Sequence, residues 1–120
     1  MAIVRFDQLD VWRDAHQLVL DVYRATGKFP RQEQYGLVAQ MRRAAVSVPA
    51  NIAEGFKRHG AREKVRFYNF AESSLEELRY YMILATDLGY VPEGAASTSR
   101  IESVNRMLFR LVSAVRRRAR

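Results

Sequence analysis

Three features of the 120-residue sequence predict an all-α protein, an antiparallel up-down-up-down four-helix bundle. Apolar residues recur three and four apart in four separate stretches, the period of a helix with one buried face. Glycine and proline gather between those stretches, at 27–30, at 60 and at 89–94, and the short connections favour antiparallel neighbours. No stretch shows the two-residue alternation of a half-buried strand.

The first helix is expected over about 8–26. Asp7 is a suitable N-cap, Leu9, Trp12, Ala15, Val19, Val22 and Tyr23 recur at helical spacing, and Gly27 follows the last turn. His16 lies beside that stripe and reads as a histidine at the edge of the core, not as a ligand or base.

The second helix is expected over about 32–59. Val38, Met41, Ala45, Val48 and Ile52 form a heptad seam, and Ala39, Val46, Ala50 and Ala53 form a low second ridge beside it. A helix apolar over so wide an arc is expected to be covered on two sides, which predicts self-association. Pro49 either kinks this helix or stands before a fresh start, with Asn51 as N-cap and Glu54 answering from the third position. The seam keeps its phase through the proline, which favours the kink, with Asn51 and Glu54 holding it.

The third helix is expected over about 62–88, with Phe67, Ala71, Ser74, Leu78, Tyr81, Ala85 and Leu88 as its seam and Phe70, Leu75 and Met82 beside it. At 1.5 Å per residue it is about 40 Å long, so the bundle is elongated. Ser97 or Ser99 is expected to cap the fourth helix, over about 98–117, whose seam is Ile101, Val104, Leu108, Leu111 and Val115. The whole chain, 1–120, is expected to form a single domain around one core.

The charge is unevenly spread. The net charge is +7, which suits nucleic acid or another anionic surface as partner. Residues 1–30 hold four basic residues and four aspartates, whereas from Arg100 onward seven arginines face Glu102 as the lone carboxylate. Arg106, Arg110 and Arg117 fall opposite the seam of the fourth helix, flanked by Arg116 and Arg118, and Arg120 adds local charge. Lys57 and Arg58 supply a second basic patch, together with Arg42 and Arg43. The competing explanation for the tail is a helix end whose arginines complement the dipole. Arg42 and Arg43 sit on a packed helix and are expected to pair with Glu54, Glu72 or Glu76 at an interface.

Reactive chemistry is poorly provided for. Cysteine is absent, which removes disulfides and thiolate chemistry, and only His16 and His59 could act as histidine bases. No Glu-x-x-His pair and no glycine-rich phosphate loop occurs. Glu72, Glu76 and Glu77 read as a solvated face pairing with arginines, across a subunit boundary in an oligomer. No enzyme activity, cofactor or metal is expected. The tail lacks interleaved aromatics apart from Phe109, which argues against stacking on single strands. No apolar run reaches signal-peptide or membrane-span length, so a soluble, cytoplasmic protein with no membrane partner is expected.

Several motifs carry a family likeness. They are Phe6-Asp-x-Leu-x-Val-Trp-x-x-Ala-His, Phe29-Pro30, Tyr35-Gly-Leu-x-x-Gln-x-Arg-Arg-Ala-Ala-Val-Ser-Val-Pro-Ala-Asn-Ile-Ala-Glu-Gly, Ser74-Leu-x-Glu-Leu and Leu88-Gly-Tyr. Together they resemble the bacterial four-helix bundle proteins, also called 23S rRNA intervening-sequence proteins, over nearly the whole chain. The accessory variability determinant of diversity-generating retroelements is similar in fold. The resemblance implies a homopentameric ring and RNA or DNA as a partner, beside a nucleic-acid enzyme such as a reverse transcriptase. Two departures stand out: Gly60-Ala61 where the family carries a Ser or Asp cap, and Tyr80-Tyr81 where it carries aliphatic residues. The alternative function is an oligomeric scaffold or adaptor acting through protein contacts, its basic charge incidental.

Overall fold

The computed structural model describes residues 2–119, and the charge expected from Arg120 lies outside them. Four α-helices make up the described fold: α1 (Asp10–Thr26), α2 (Leu37–Lys57), α3 (Ala61–Asp87) and α4 (Ala96–Arg118), with no strand among the described residues. Each helix packs on its neighbours in sequence, and α4 also packs on α1. The body measures 48 × 25 × 23 Å, elongated as the long third helix predicts.

Helix starts depart from expectation at three places. Asp7 does not cap α1. It pairs with Arg5 at 3.0 Å, and residues Phe6–Gln8 form a 3-10 turn instead. The Gln8 side chain accepts the Val4 and Arg5 N–H groups, so the cap belongs to that turn. A second 3-10 turn, Arg31–Glu33, follows Pro30, and Gly36 at φ −110°, ψ −105° delays α2 to Leu37. Helix α4 begins at Ala96 with no side-chain cap. Ser97 is buried within its first turn, with Met82 Sδ 3.9 Å from its hydroxyl, and Ser99 is exposed. The core takes the serine that a cap would have used.

At the other end of α3, Gly89 has φ +79°. This left-handed residue lets the Tyr90 N–H reach Ala85 O at 2.9 Å while the Gly89 N–H reaches Thr86 O at 3.0 Å, closing the helix end.

Helix α2 runs unbroken through Pro49, so there is no fresh start at Asn51. The Asn51 amide donates to Ser47 O at 2.8 Å and to Ser47 Oγ at 3.0 Å, spanning the turn that holds the proline. Pro49 has no N–H to give to the Ala45 carbonyl one turn back, and the Asn51 bond to Ser47 ties the two sides of the proline together without replacing the missing one. Glu54 does not answer Asn51; it pairs with Arg58 one turn on, at 3.1 Å.

The α2 seam is buried throughout, from Val38 to Ile52. Its second ridge is not covered within the chain: Ala39, Val46 and Ala50 are exposed and Ala53 half-buried. The buried face of α3 is rotated from the expected one. Tyr68, Ala71, Leu75, Leu78, Met82 and Ala85 are buried, whereas Phe67, Ser74 and Tyr81 sit at its edge and Phe70 and Leu88 are exposed. In α1, Val11 and Leu18 enter the core and Tyr23 is exposed; in α4, Val112 is buried and Leu111 and Val115 are half-buried. A wide apolar arc leaves the rotation of a helix open by about 50°, half a residue step, and the neighbouring helices choose.

Candidate nucleic-acid interface

Parts of the two basic patches of the sequence, Lys57 and Arg58 from one and Arg116, Arg117 and Arg118 from the other, come to the same end of the molecule, whereas Arg42 and Arg43 lie elsewhere on α2. There the last turn of α2, carrying Lys57, joins the first turns of α3 and the last turn of α4, with Arg116, Arg117 and Arg118. Open grooves link these elements. One is lined by Glu54, Lys57, Arg58, His59 and Glu63, another by Gly60, Ala61, Lys64, Val115, Arg118 and Ala119. The carboxyl ends of α2 and α4 point their negative dipole ends here, so some of this basic charge is locally favourable without any ligand.

Several cations are already committed within the chain. Arg58 pairs with Glu54 and lies 4.5 Å from the centre of the Phe67 ring. Arg66 pairs with Glu63 at 3.4 Å. Lys64 donates to Phe56 O at 2.7 Å and Gly55 O at 3.3 Å, capping α2, and burial lowers its pKa. Among the described residues, Lys57, Arg62, Arg106, Arg110, Arg116, Arg117 and Arg118 take part in no ion pair. All of them are exposed. Arg106, Arg110 and Arg117 lie on the outer face of α4, over a rise of about 16 Å.

The remaining basic residues of the sequence reading have structural partners. Arg42 meets no carboxylate. It donates to Thr26 Oγ1 at 2.9 Å and Tyr23 O at 3.3 Å, and stacks 4.4 Å from the Tyr23 ring centre, tying α2 to the end of α1. Arg43 reaches Glu77, not Glu54, Glu72 or Glu76, and Tyr81 donates to that same carboxylate at 2.7 Å. The Tyr81 hydrogen bond and then Arg43 hold the Glu77 carboxyl below its ordinary range. Glu76 pairs with Arg79, and Arg79 also meets Glu102 across α3 and α4. Glu72 lies near Arg116, but burial outweighs that attraction and raises its pKa. Glu63, Glu76 and Glu77 of α3 therefore find arginines inside the chain. Arg100, part of the basic tail by sequence, binds Asp14 at 2.8 Å and Asp21 at 2.7 Å on α1.

These contacts accompany a sequence match over residues 7–110 to the model of the 23S rRNA-intervening sequence protein family. The chain belongs to that family. No curated protein matches it. The match spans α1, α2 and α3 and reaches into α4, ending at Arg110. Arg116, Arg117 and Arg118 lie beyond the matched region of this 23S rRNA-intervening sequence family member. Among the described residues, no helix is long and apolar enough to cross a membrane, and no group of three or more His, Cys, Asp or Glu could hold a metal ion.

The sequence reading missed Arg62, Arg66, Phe67 and Phe70 as neighbours of the basic tail. Arg66 lies 5.4 Å from the centres of both phenylalanine rings. The tail has few aromatics of its own, but α3 supplies them. The spacing of Arg62, Arg66 and Phe70, each four residues from the last, places all three on one face of α3 and was the available signal.

Proposed function

We propose that this chain is a non-catalytic, homo-oligomeric helical bundle of up-down-up-down topology that binds nucleic acid through phosphate contacts, without sequence preference. The observation that carries the reading is the gathering of Lys57, Arg62, Arg116, Arg117 and Arg118, none of them ion-paired among the described residues, around one end of the molecule, with Arg106 and Arg110 continuing along α4. Exposed guanidinium groups without carboxylate partners are free to replace phosphate counterions, the main source of non-specific affinity. The family's name, with its reference to 23S rRNA, suits an RNA-related role, and the role we assign is that of an accessory to a nucleic-acid enzyme in the cytoplasm.

The up-down arrangement is supported by pairs of contacts that run in opposite directions along neighbouring helices: Ser47 with Ser74 and Arg43 with Glu77 between α2 and α3, Met82 with Ser97 and Arg79 with Glu102 between α3 and α4. Oligomerisation is supported by the uncovered ridge of Ala39, Val46 and Ala50, where small side chains let another helix approach. The resemblance makes the oligomer a pentameric ring, and the seam that keeps its phase through Pro49 favours a bend there in α2. A ring would repeat the basic end in every subunit and convert weak contacts into avidity. The same ridge favours a second reading, a scaffold that recruits another protein through apolar contact.

Fluorescence anisotropy with labelled RNA and DNA across a salt series separates the two. Affinity should fall steeply with salt, and replacing Arg106, Arg110 and Arg117 by Gln should reduce the salt slope by about one per lost phosphate contact. Absence of binding at low salt, or binding indifferent to salt, would overturn the nucleic-acid reading. Light scattering gives the oligomeric state, and a monomer at micromolar concentration contradicts the ring.

A further inference from the structure

The basic end carries an open groove that phosphate contacts alone do not explain. Val65 and Phe70 give it an apolar wall, Arg62 and Arg116 stand beside that wall, and Arg66 is paired with Glu63 at its edge, around a space of about 720 Å3. Phe70 is 42 % exposed. Its ring meets Phe67 edge to face at 5.6 Å, and the Arg66 guanidinium lies 5.4 Å from its centre. Arg62 and Arg116 make no ion pair among the described residues.

An apolar wall with an open aromatic ring suits a flat, weakly polar group. Unpaired guanidinium groups beside it suit an anion. A nucleotide unit joins both in one ligand, provided its base is not held in a duplex stack. We propose that the groove beside Phe70 takes an unpaired nucleobase, so that this end of the bundle selects single-stranded over duplex nucleic acid. The proposal rests on the nucleic-acid reading above and specifies its substrate class. In a duplex the base faces are covered by their neighbours, and only the phosphates are left for Arg62 and Arg116. In a single strand the base adds stacking on Phe70 and contact with Arg66, worth on the order of tenfold in affinity per base.

The test uses anisotropy of the full chain at one low salt concentration. Its ligands are a labelled oligothymidylate, an abasic strand of the same length and a hairpin duplex of equal phosphate count. Oligothymidylate should bind on the order of tenfold more tightly than either of the others. Phe70→Ala should remove that preference while leaving duplex affinity and its salt slope unchanged. Phe70→Trp should keep the preference, and its added fluorescence should be quenched as oligothymidylate binds. Equal binding of all three ligands by the unaltered chain overturns this inference and leaves the nucleic-acid reading standing. Absence of binding to any of them overturns both. A preference that survives in a folded Phe70→Ala protein overturns the role of the groove. Should that variant fail to fold, an unquenched Phe70→Trp overturns it independently.

Discussion

Gly55 on α2 and Tyr68 on α3 lie so close that a side chain on the glycine would enter the tyrosine ring. A Cβ at position 55 would sit 2.5 Å and 2.7 Å from two ring carbons and 3.2 Å from the Lys64 carbonyl. Tyr68 is almost fully buried, and burial pushes its hydroxyl pKa up to about 12. Glycine weakens a helix interior by about 1 kcal/mol relative to alanine, so its presence in α2 is a local cost offset by close packing of α2 on α3.

Gly55→Ala is therefore expected to destabilise the fold, by up to about 2 kcal/mol once the helix gain is set against an overpacking cost of about 1–3 kcal/mol. Chemical denaturation checks the sign. With Tyr68→Ala in the background, both ring contacts disappear and only the 3.2 Å approach to the Lys64 carbonyl remains, so the penalty of the same substitution should shrink. A Gly55→Ala penalty of undiminished size in that background contradicts the ring as its cause.

Arg100 joins α4 to α1 through Asp14 and Asp21, whose side chains are each only 15% exposed. The Asp21 hydrogen bond, followed by the Asp14 one, raises the guanidinium above its ordinary pKa. Arg100→Met should cost about 2–4 kcal/mol, because it leaves two poorly solvated carboxylates with weaker partners. Those partners are Ser103 for Asp14, at 2.6 Å, and Arg24 for Asp21, at 3.5 Å. Adding Asp14→Asn should recover part of the loss in a double-mutant cycle. Simple additivity would show that the two side chains are not coupled.

Glu72 gives a pH signature of opposite sense to acid denaturation. Its folded pKa is raised, so its ionised form carries a penalty above that pKa, and the penalty is relieved as pH falls through it. Glu72→Gln should therefore stabilise the protein at neutral pH, by under about 1 kcal/mol because solvent screens this half-exposed group. The gain should vanish below the ordinary glutamate value of 4.5. Thermal midpoints measured against pH provide the check, and a destabilised Gln variant at pH 7 would mean that the attraction of Arg116 outweighs burial.

Helix class and helix breaks were legible in the sequence because both are local. The seam of α2 from Val38 to Ile52 is buried as its spacing predicts, and Gly89 ends α3 through backbone geometry that a few adjacent residues define. The motif running from Tyr35 to Gly55 was enough to indicate the family. Cap residues were less legible, since Asp7 and Ser97 each had a competing partner outside the expected helix start: Arg5 for one, the core around Met82 for the other.

Which charges were free was decided by tertiary structure. Arg100 and Arg116 look alike along α4, yet one meets two aspartates on α1 while the other stands exposed beside the groove of α3. Arg42 and Arg43 are adjacent, but their side chains leave α2 about 100° apart and reach α1 and α3 respectively. The sequence by itself determined four amphipathic helices, their breaks and the family, because periodicity and turn chemistry act over a few residues. Only the packed bundle decided the rotation of α3, the need for Gly55 and the meeting of Lys57, Arg62, Phe70 and Arg116 at one end. Those depend on which helix lies beside which, and at what register, and long-range packing sets both.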